Sequence, residues 1–352
     1  MSDNLNQLGW KPLFAQAWLN LDEEQYFEPM RVVEVQRSHL TVAQEIGKSL
    51  EVAIGGKWFL NPPDERPTIG DWVLVDPSQP SLHSLLPRFS EIKRLSPGGD
   101  VQLIAANIDT AFLVTSCNAD FNLARLERYL VVVKQANIQP VVVLTKADLV
   151  SESDSFVEEV RSLGRDIMVE CVNALDLNTL QGIVQWCGPG QSVAMLGSSG
   201  VGKSTLVNTL AGEEIQLTGG IRDDDAKGRH TTTNRSLHLL SSGAVVVDSP
   251  GMRELQLTDV EDGVQALFAD VLELAQRCRF NNCQHASEPS CAVQLAISSG
   301  QLDERRLQNY FKLLREERHN TESVAQRHAR SRQFNKMVKS SVKRKQKRRD
   351  SK

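Results

Sequence analysis

The sequence predicts a multidomain chain with three unlike parts: an N-terminal all-β barrel, a central α/β domain with a parallel sheet, and a helical C-terminal piece. Three observations carry this. Short alternating runs punctuated by Gly and Pro fill residues 31–95. From about 101, continuous apolar strands alternate with segments of helical period. Beyond 251 the helical pattern surrounds a cluster of Cys and His.

Taken in order, residues 1–30 mix polar and apolar residues and stand as an N-terminal extension. Alternation begins at Arg31-Val-Val-Glu-Val-Gln-Arg and returns at Leu40-Thr-Val; Glu51-Val-Ala-Ile runs into the turn Gly55-Gly56. Thr68–Val75 follows a Pro-rich turn, and Glu91-Ile-Lys-Arg-Leu is the fifth candidate. Five short strands in so few residues suggest a closed barrel of OB-fold type over 31–97, a surface that commonly binds nucleic acid. A small β-domain without a ligand would give the same pattern.

The central domain is expected over 98–255. Ala111–Thr115 and Pro140–Leu144 read as buried strands, and 123–137 as a helix with Leu126, Leu130 and Val133 on one face. A helix near 153–163, strands at 167–172 and 192–196, a helix from 203 and the strand Ala244–Asp248 complete an α/β alternation. A helical unit over 256–324 and a basic tail over 325–352, expected to be disordered, end the chain.

Composition excludes several classes. The 352 residues are 40% apolar and 24% charged, ordinary for a soluble globular chain. No run approaches the ~20 apolar residues of a membrane span, and the start lacks a secretory signal, so a cytoplasmic protein with no membrane partner is expected. Charge is unevenly spread. Residues 325–352 carry twelve Lys/Arg against the single Asp350, a net +11, which leaves −15 on the first 324 from an overall −4. A basic arm on an acidic body suits contact with nucleic-acid phosphates, although such a tail can also be merely solvated. A reducing cytoplasm makes metal binding the expected role of the clustered cysteines.

Gly197-Ser198-Ser199-Gly200-Val201-Gly202-Lys203-Ser204, followed by Thr205, fits G-x-x-x-x-G-K-[ST] between an apolar strand and a helix, the context this phosphate-binding loop requires. Glycines permit a turn whose N–H groups surround phosphates at a helix N-terminus. Lys203 is placed for the β- and γ-phosphates and Ser204 for Mg²⁺. Asp248-Ser-Pro-Gly251 ends an apolar strand as D-x-x-G elements do near the γ-phosphate, though alone it is also a common turn. Thr145-Lys146-Ala147-Asp148 resembles the [NT]-K-x-D element, whose carboxylate accepts two bonds from guanine N1 and N2, a donor pair that adenine lacks.

The order is unusual. The base-reading element precedes the phosphate loop by about fifty residues, and no second copy follows Gly251. The domain is therefore expected to be a circularly permuted P-loop GTPase domain, and the loop after Asp248 leads straight into the C-terminal unit. A nucleotide-dependent shift transmitted through that loop is one expected consequence. Gly228-Arg-His-Thr-Thr-Thr233 lies where the first switch belongs, with Thr232 or Thr231 as Mg²⁺ ligand. Val172-Asn173-Ala174 is the candidate loop for guanine O6. Met252 stands where many GTPases place a water-orienting Gln. His230 is then the candidate to position water, and slow intrinsic hydrolysis is expected.

Cys278, Cys283, His285 and Cys291 supply three thiolates and an imidazole within fourteen residues, the ligand set of a closed, structural zinc site.

The series TKAD, GSSGVGKS, GRHTTT, DSPG, C-x4-C-x-H-x5-C resembles the small-ribosomal-subunit biogenesis GTPase family, RsgA (also called YjeQ), over residues 30–320. The resemblance implies an N-terminal OB-fold, a permuted GTPase domain and a zinc domain. It also implies GTP hydrolysis to GDP and phosphate, stimulated by the small ribosomal subunit during late maturation. The family's nucleotide positions fall on Thr145, Lys146, Asp148 and Gly197–Thr205, its zinc ligands on Cys278, Cys283, His285 and Cys291, and its proposed switch histidine on His230. Lys203 and Thr232 complete the expected catalytic set, with Asp248 and Gly251 at the phosphates. Thr145 replaces the commoner Asn, and Asn173 stands where Ser is usual. The small subunit and its rRNA, GTP and GDP are the expected partners, and a monomer the expected state. A GTPase of the same fold serving another RNA assembly, or a binding protein in which nucleotide only signals, is the competing reading.

Overall fold

The computed structural model describes residues 2–21, 27–36, 38–96, 100–164, 166–212, 216–217, 235–248 and 257–321. Strands β1 (Glu28–Val35), β2 (His39–Glu45), β3 (Lys48–Ala53), β4 (Trp72–Asp76) and β5 (Ser81–Leu85) close on themselves. β1 pairs β2, β2 pairs β3, β3 meets β5 in parallel where Ala53 faces Ser81, β5 pairs β4, and β4 returns to β1. Alternate residues fill the interior: Val32, Leu40, Val42, Val52, Val73, Val75 and Leu82, with Trp58 from the short helix α3 (Gly56–Phe59). This is the expected five-stranded, OB-like barrel.

One strand is corrected. Glu91–Leu95 is not the fifth stave; Ser81–Leu85 is. Glu91–Leu95 becomes β6 and pairs with β7 (Val101–Ala106) in a separate hairpin that crosses the expected boundary at 97/98. Both runs alternate, so pattern alone does not choose between them. A partner a few residues away costs little loop-closure entropy and wins β6. Arg88, between β5 and β6, grips both carboxylate oxygens of Asp71 at 2.7 Å and turns the chain out of the barrel.

The N-terminal extension is structural rather than appended. Helices α1 (Ser2–Gln7) and α2 (Pro12–Leu19) bury Leu5, Leu8 and Phe14, and Trp10 meets Trp72 edge-on at 4.7 Å. Lys11 ion-pairs with Asp109, whose other oxygen accepts from the Ser192 N–H at 2.9 Å. Fully buried Arg31 donates to the Leu8 carbonyl and to Ser192 Oγ at 2.8 Å. Desolvation pushes its guanidinium down to about 10 against the pull of Asp109 and Asp71. Extension, barrel and central sheet thus meet at one buried cation.

The central sheet contains β8 (Thr110–Ser116), β9 (Gln139–Thr145), β10 (Met168–Cys171), β11 (Ser192–Leu196), β12 (Gln216–Leu217), β13 (Arg235–Leu239) and β14 (Val245–Asp248). The spatial order is β10-β9-β8-β11-β14-β13, parallel from β10 to β14, with β13 antiparallel at the end. Strands β8, β9 and β11 are buried on both faces, which is why they read as unbroken apolar runs. β13 also pairs with β1 (Glu34 opposite Ser236), so barrel and sheet share one ladder.

Helices α4 (Leu123–Gln135), α5 (Ser153–Arg161), α6 (Gln181–Val184) and α7 (Lys203–Ala211) connect the strands. α4 starts where the Asn122 side chain accepts from the Arg125 N–H at 3.0 Å, a polar N-cap. Leu126, Leu130 and Val133 are buried as expected, but so are Glu127, Tyr129, Val131 and Val132, because α4 lies between the sheet and the C-terminal helices. Those helices are α8 (Glu261–Leu267), α9 (Ala269–Ala275), α10 (Ala292–Ser298) and α11 over 304–321. Among the described residues no helix is long and apolar enough to cross a membrane.

Candidate functional site

The phosphate loop leaves the buried end of β11 and enters α7. Gly197 sits at φ 155°, and a Cβ there would come within 2.2 Å of the Val114 carbonyl oxygen, so strand β8 itself dictates glycine. Gly202 caps α7 in the left-handed region at φ 98°. Ser199 and Gly200 at the tip are exposed. Lys203 Nζ donates to the carbonyls of Gly197 at 2.7 Å and Ser198 at 2.5 Å, which holds its charge in the curve of the loop. Ser204 follows it, exposed, in the first turn of α7.

The base-reading element lies beside this loop although it is encoded far ahead of it. Thr145 Oγ1 lies 2.6 Å from the Val201 carbonyl and 3.1 Å from that of Thr115, and donates one hydrogen between them. The Thr in place of Asn thus still ties this strand end to the phosphate loop. Lys146 takes a left-handed conformation, φ 59°, and its Nζ donates to Gly200 O at 3.0 Å. Ala147 N–H donates to the Val172 carbonyl at 3.2 Å, and Asp148 stands exposed on a 3₁₀ turn.

The third candidate loop joins them. Asn173 uses its side-chain oxygen to accept from Leu175 N–H at 3.0 Å, while Thr209 of α7 donates to Ala174 O at 2.6 Å. Residues 145–148, 172–174 and 197–205 therefore converge at one edge of the sheet. His230, Thr231, Thr232, Gly251 and Met252 lie outside the described residues, as does the tail over 325–352; Asp248 ends β14.

Two contacts here escaped sequence reasoning. Arg125 of α4 donates to Ser198 Oγ and pairs with Asp120 at 3.1 Å. The Tyr129 hydroxyl also bonds Ser198, while burial, the larger influence, raises its pKa. The only signal was their i,i+4 spacing, which a helical surface pattern gives equally well.

The second cluster lies between α9 and α10. The ligand atoms of Cys278, Cys283, His285 and Cys291 all fall within 4.8 Å of one another. Cys278 Sγ is 3.8 Å from Cys291 Sγ and 3.6 Å from His285 Nδ1, and Cys291 Sγ is 3.5 Å from His285 Nδ1. A tetrahedron with Zn–S about 2.3 Å and Zn–N about 2.0–2.1 Å has S···S edges of about 3.8 Å and S···N edges of about 3.6 Å. The three separations match these edges. Desolvation keeps the His285 imidazole below its usual pKa, so it offers a neutral ring nitrogen. The Glu288 carboxylate accepts from the N–H groups of Gln284 at 2.8 Å, Ala286 at 2.9 Å and Ser287 at 3.1 Å, and Gln294 Nε2 holds the His285 carbonyl at 2.6 Å. All six cysteines are free thiols.

Residues 85–258 match the family model described as RsgA GTPase. A protein of Vibrio vulnificus (strain CMCP6), the small ribosomal subunit biogenesis GTPase RsgA 2, is 50% identical over 335 residues, covering 95% of this chain and 93% of its own. One from Mesorhizobium japonicum, the small ribosomal subunit biogenesis GTPase RsgA, is 44% identical over 328 residues, 91% of this chain and 92% of its own. The crystal structure of YjeQ from Thermotoga maritima superposes with a TM-score of 0.60 at 25% identity, covering 82% of this chain and 98% of that one. YloQ, described as a circularly permuted GTPase, gives 0.57 at 24% identity, over 86% and 99% of the two chains.

Proposed function

This chain belongs to the RsgA GTPase family, and from that premise we infer that it is a GTP-hydrolysing switch that acts on the small ribosomal subunit during its maturation. The observation that carries the site is the bridge from base loop to phosphate loop, Thr145 to Val201 and Lys146 to Gly200, formed in spite of the permuted order. Asp148 accepts from guanine N1 and N2, and the Lys146 stem lies along the base. Gly197–Gly202 surround the β- and γ-phosphates with backbone N–H groups, Lys203 neutralises charge spreading onto the γ-oxygens, and Thr205 follows in the first turn of α7. Ser204 and Thr232 would hold Mg²⁺, which would offset the charge of the phosphates. We assign Asp248 and Gly251 to the γ-phosphate and His230 to the positioning of water.

Cys278, Cys283, His285 and Cys291 would hold one Zn²⁺, whose contribution is to fold this knuckle rather than to react. The OB-like barrel and the basic tail supply rRNA contact, with a monomer acting in the cytoplasm. The domain limits that go with this reading are 31–97, 98–255 and 256–324, with the β6–β7 hairpin straddling the first cut.

The test is GTP hydrolysis by the purified chain alone, with small subunits and with large subunits, and with ATP as control. Stimulation by small subunits and not by large ones is expected. Equal stimulation by both would move the proposal to another RNA assembly, and binding of GTP without turnover would leave a signalling protein that is not an enzyme.

A further inference from the structure

Helix α4 touches two places that the sequence keeps apart. On one side Arg125 and Tyr129, four residues apart on one face, both bond Ser198 of the phosphate loop. The carbonyl of that same serine accepts from Lys203 at 2.5 Å. On the opposite side is Glu127, 0% exposed. Its carboxylate accepts from Arg305 at 3.0 Å, Arg306 at 3.2 Å and Asn309 at 2.5 Å, all on α11. Arg306 also grips Asp270 of α9 at 2.7 and 2.9 Å and the Leu267 carbonyl of α8 at 2.8 Å. The next residue of α4, Arg128, forms a two-pronged pair with Glu316. α11 in turn carries Phe311, whose ring stacks on that of His285 in the Cys/His knuckle at 26° and a centroid distance of 6.4 Å.

A buried carboxylate with three donors is not replaceable by a looser contact: shifting α11 leaves either Glu127 or Arg306 desolvated and unpaired. The junction therefore has few intermediate positions. A short rigid helix carries any displacement from one side to the other, since its own backbone bonds are stiffer than the side-chain contacts at its two faces.

We propose that Glu127, Arg125 and Tyr129 are positioning residues that let the C-terminal helices set the shape of the phosphate loop: seating α11 on Glu127 fixes α4, and α4 holds Ser198 and, through it, Lys203. A partner that moves α11 then changes nucleotide handling by this route. The proposal rests on the reading of 197–205 as a guanine-nucleotide loop. It runs through different residues from the expected link after Asp248.

The experiment is a thermodynamic cycle on the full, zinc-loaded chain, read as the dissociation rate of fluorescent mant-GDP. Glu316→Arg opposes Arg128 across a pair about one-quarter exposed, so it weakens the seat without stranding a buried charge. Tyr129→Phe removes only the hydroxyl that holds Ser198. Each single change is expected to shift the rate about fivefold, and the double variant to match the larger single change rather than their product. Arg315→Glu, on the exposed face of α11, serves as the charge control and leaves the rate unchanged. Melting temperature and zinc content confirm that each variant is folded. Multiplicative effects, or no effect of Glu316→Arg, overturn the link. Failure of the wild-type chain to bind mant-GDP would instead overturn the reading of the loop, and the link with it.

Discussion

The phosphate loop and the Cys/His knuckle are both short, exposed loops between regular elements, yet they are held in opposite ways. The phosphate loop is imposed by the fold. β11 is fully buried, Val114 of the neighbouring β8 presses on Gly197, and Thr145 and Lys146 brace Val201 and Gly200 from the end of β9, two strands away. The knuckle meets the core on its inner side, through Cys278, Cys283 and Cys291, and its outer side is open to solvent. Arg279, Phe280, Gln284, Ala286 and Pro289 are exposed, and only Cys291 of its four ligand residues is buried. Its shape comes from Glu288 and from the ligand atoms themselves. A loop shaped by its surroundings stays formed without its ligand, whereas a loop shaped by its ligand does not. On the proposed reading, nucleotide would come and go at one site while a metal stayed at the other.

The largest expected effect breaks this comparison most directly. Cys283→Ser, or zinc removal by a chelator, should unfold the knuckle and loosen α10, since structural zinc supplies roughly 10 kcal/mol in isolated zinc peptides. The central sheet should survive, so limited proteolysis would cut near 278–291 while mant-GDP still binds. A chelated protein that resists protease there would mean that the knuckle, too, is imposed by the fold.

Asp148→Asn comes next. Two bonds to a charged acceptor, each worth about 1.5–3 kcal/mol, are at stake, so guanine affinity should fall by more than about 100-fold, with no change in melting temperature. Competition between GTP and ATP measures it; retained preference for GTP would remove Asp148 from base reading.

Gly197→Ala sharpens the claim that the fold makes the loop. Its new methyl meets the Val114 carbonyl at 2.2 Å, so β8 or β11 must shift, at a cost of about 1–3 kcal/mol in a urea melt and with loss of nucleotide binding. An unperturbed melt would show that the loop is freer than its packing implies.

The smallest effect is that of Thr145→Val. It removes the hydroxyl bridging Val201 and Thr115 while keeping the shape, and should cost about 1 kcal/mol, seen as a fewfold weaker GDP affinity. Full affinity would mean that Lys146 alone braces the phosphate loop.

The contrast also explains what could be read from the sequence. Phosphate, guanine and metal chemistry demand fixed residue types at fixed spacings, so the loops over 197–205 and 145–148, which the fold brings together, and the clustered Cys278, Cys283, His285 and Cys291 stood out in one chain. The order of the motifs gave the permuted sheet, because strand alternation is strong between β8 and β14. Pattern failed where long-range partners decide. Ser81–Leu85 and Glu91–Leu95 alternate alike, and only the closure of β5 on β3 and β4 separates barrel from hairpin. Nothing in the local pattern around Arg31 in a strand or Glu127 in a helix marks either charge as buried. Each is buried because groups more than twenty residues away complete its hydrogen bonds.

The shared ladder between β1 and β13 bears on how the chain is made. Val35 faces Arg235, so the open edge of the first barrel strand waits for a partner synthesised about 200 residues later, roughly 10–40 s at ordinary translation rates. Until then the side of β1 that β13 will cover stays open, and Arg31 lacks the Ser192 hydroxyl that receives it. Permutation shortens the rest of the wait, because β8, β9 and β10 leave the ribosome in succession and can assemble before the phosphate-loop strand arrives. The newborn barrel is thus the part most in need of shelter during synthesis, and the arrival of β13 ends that need.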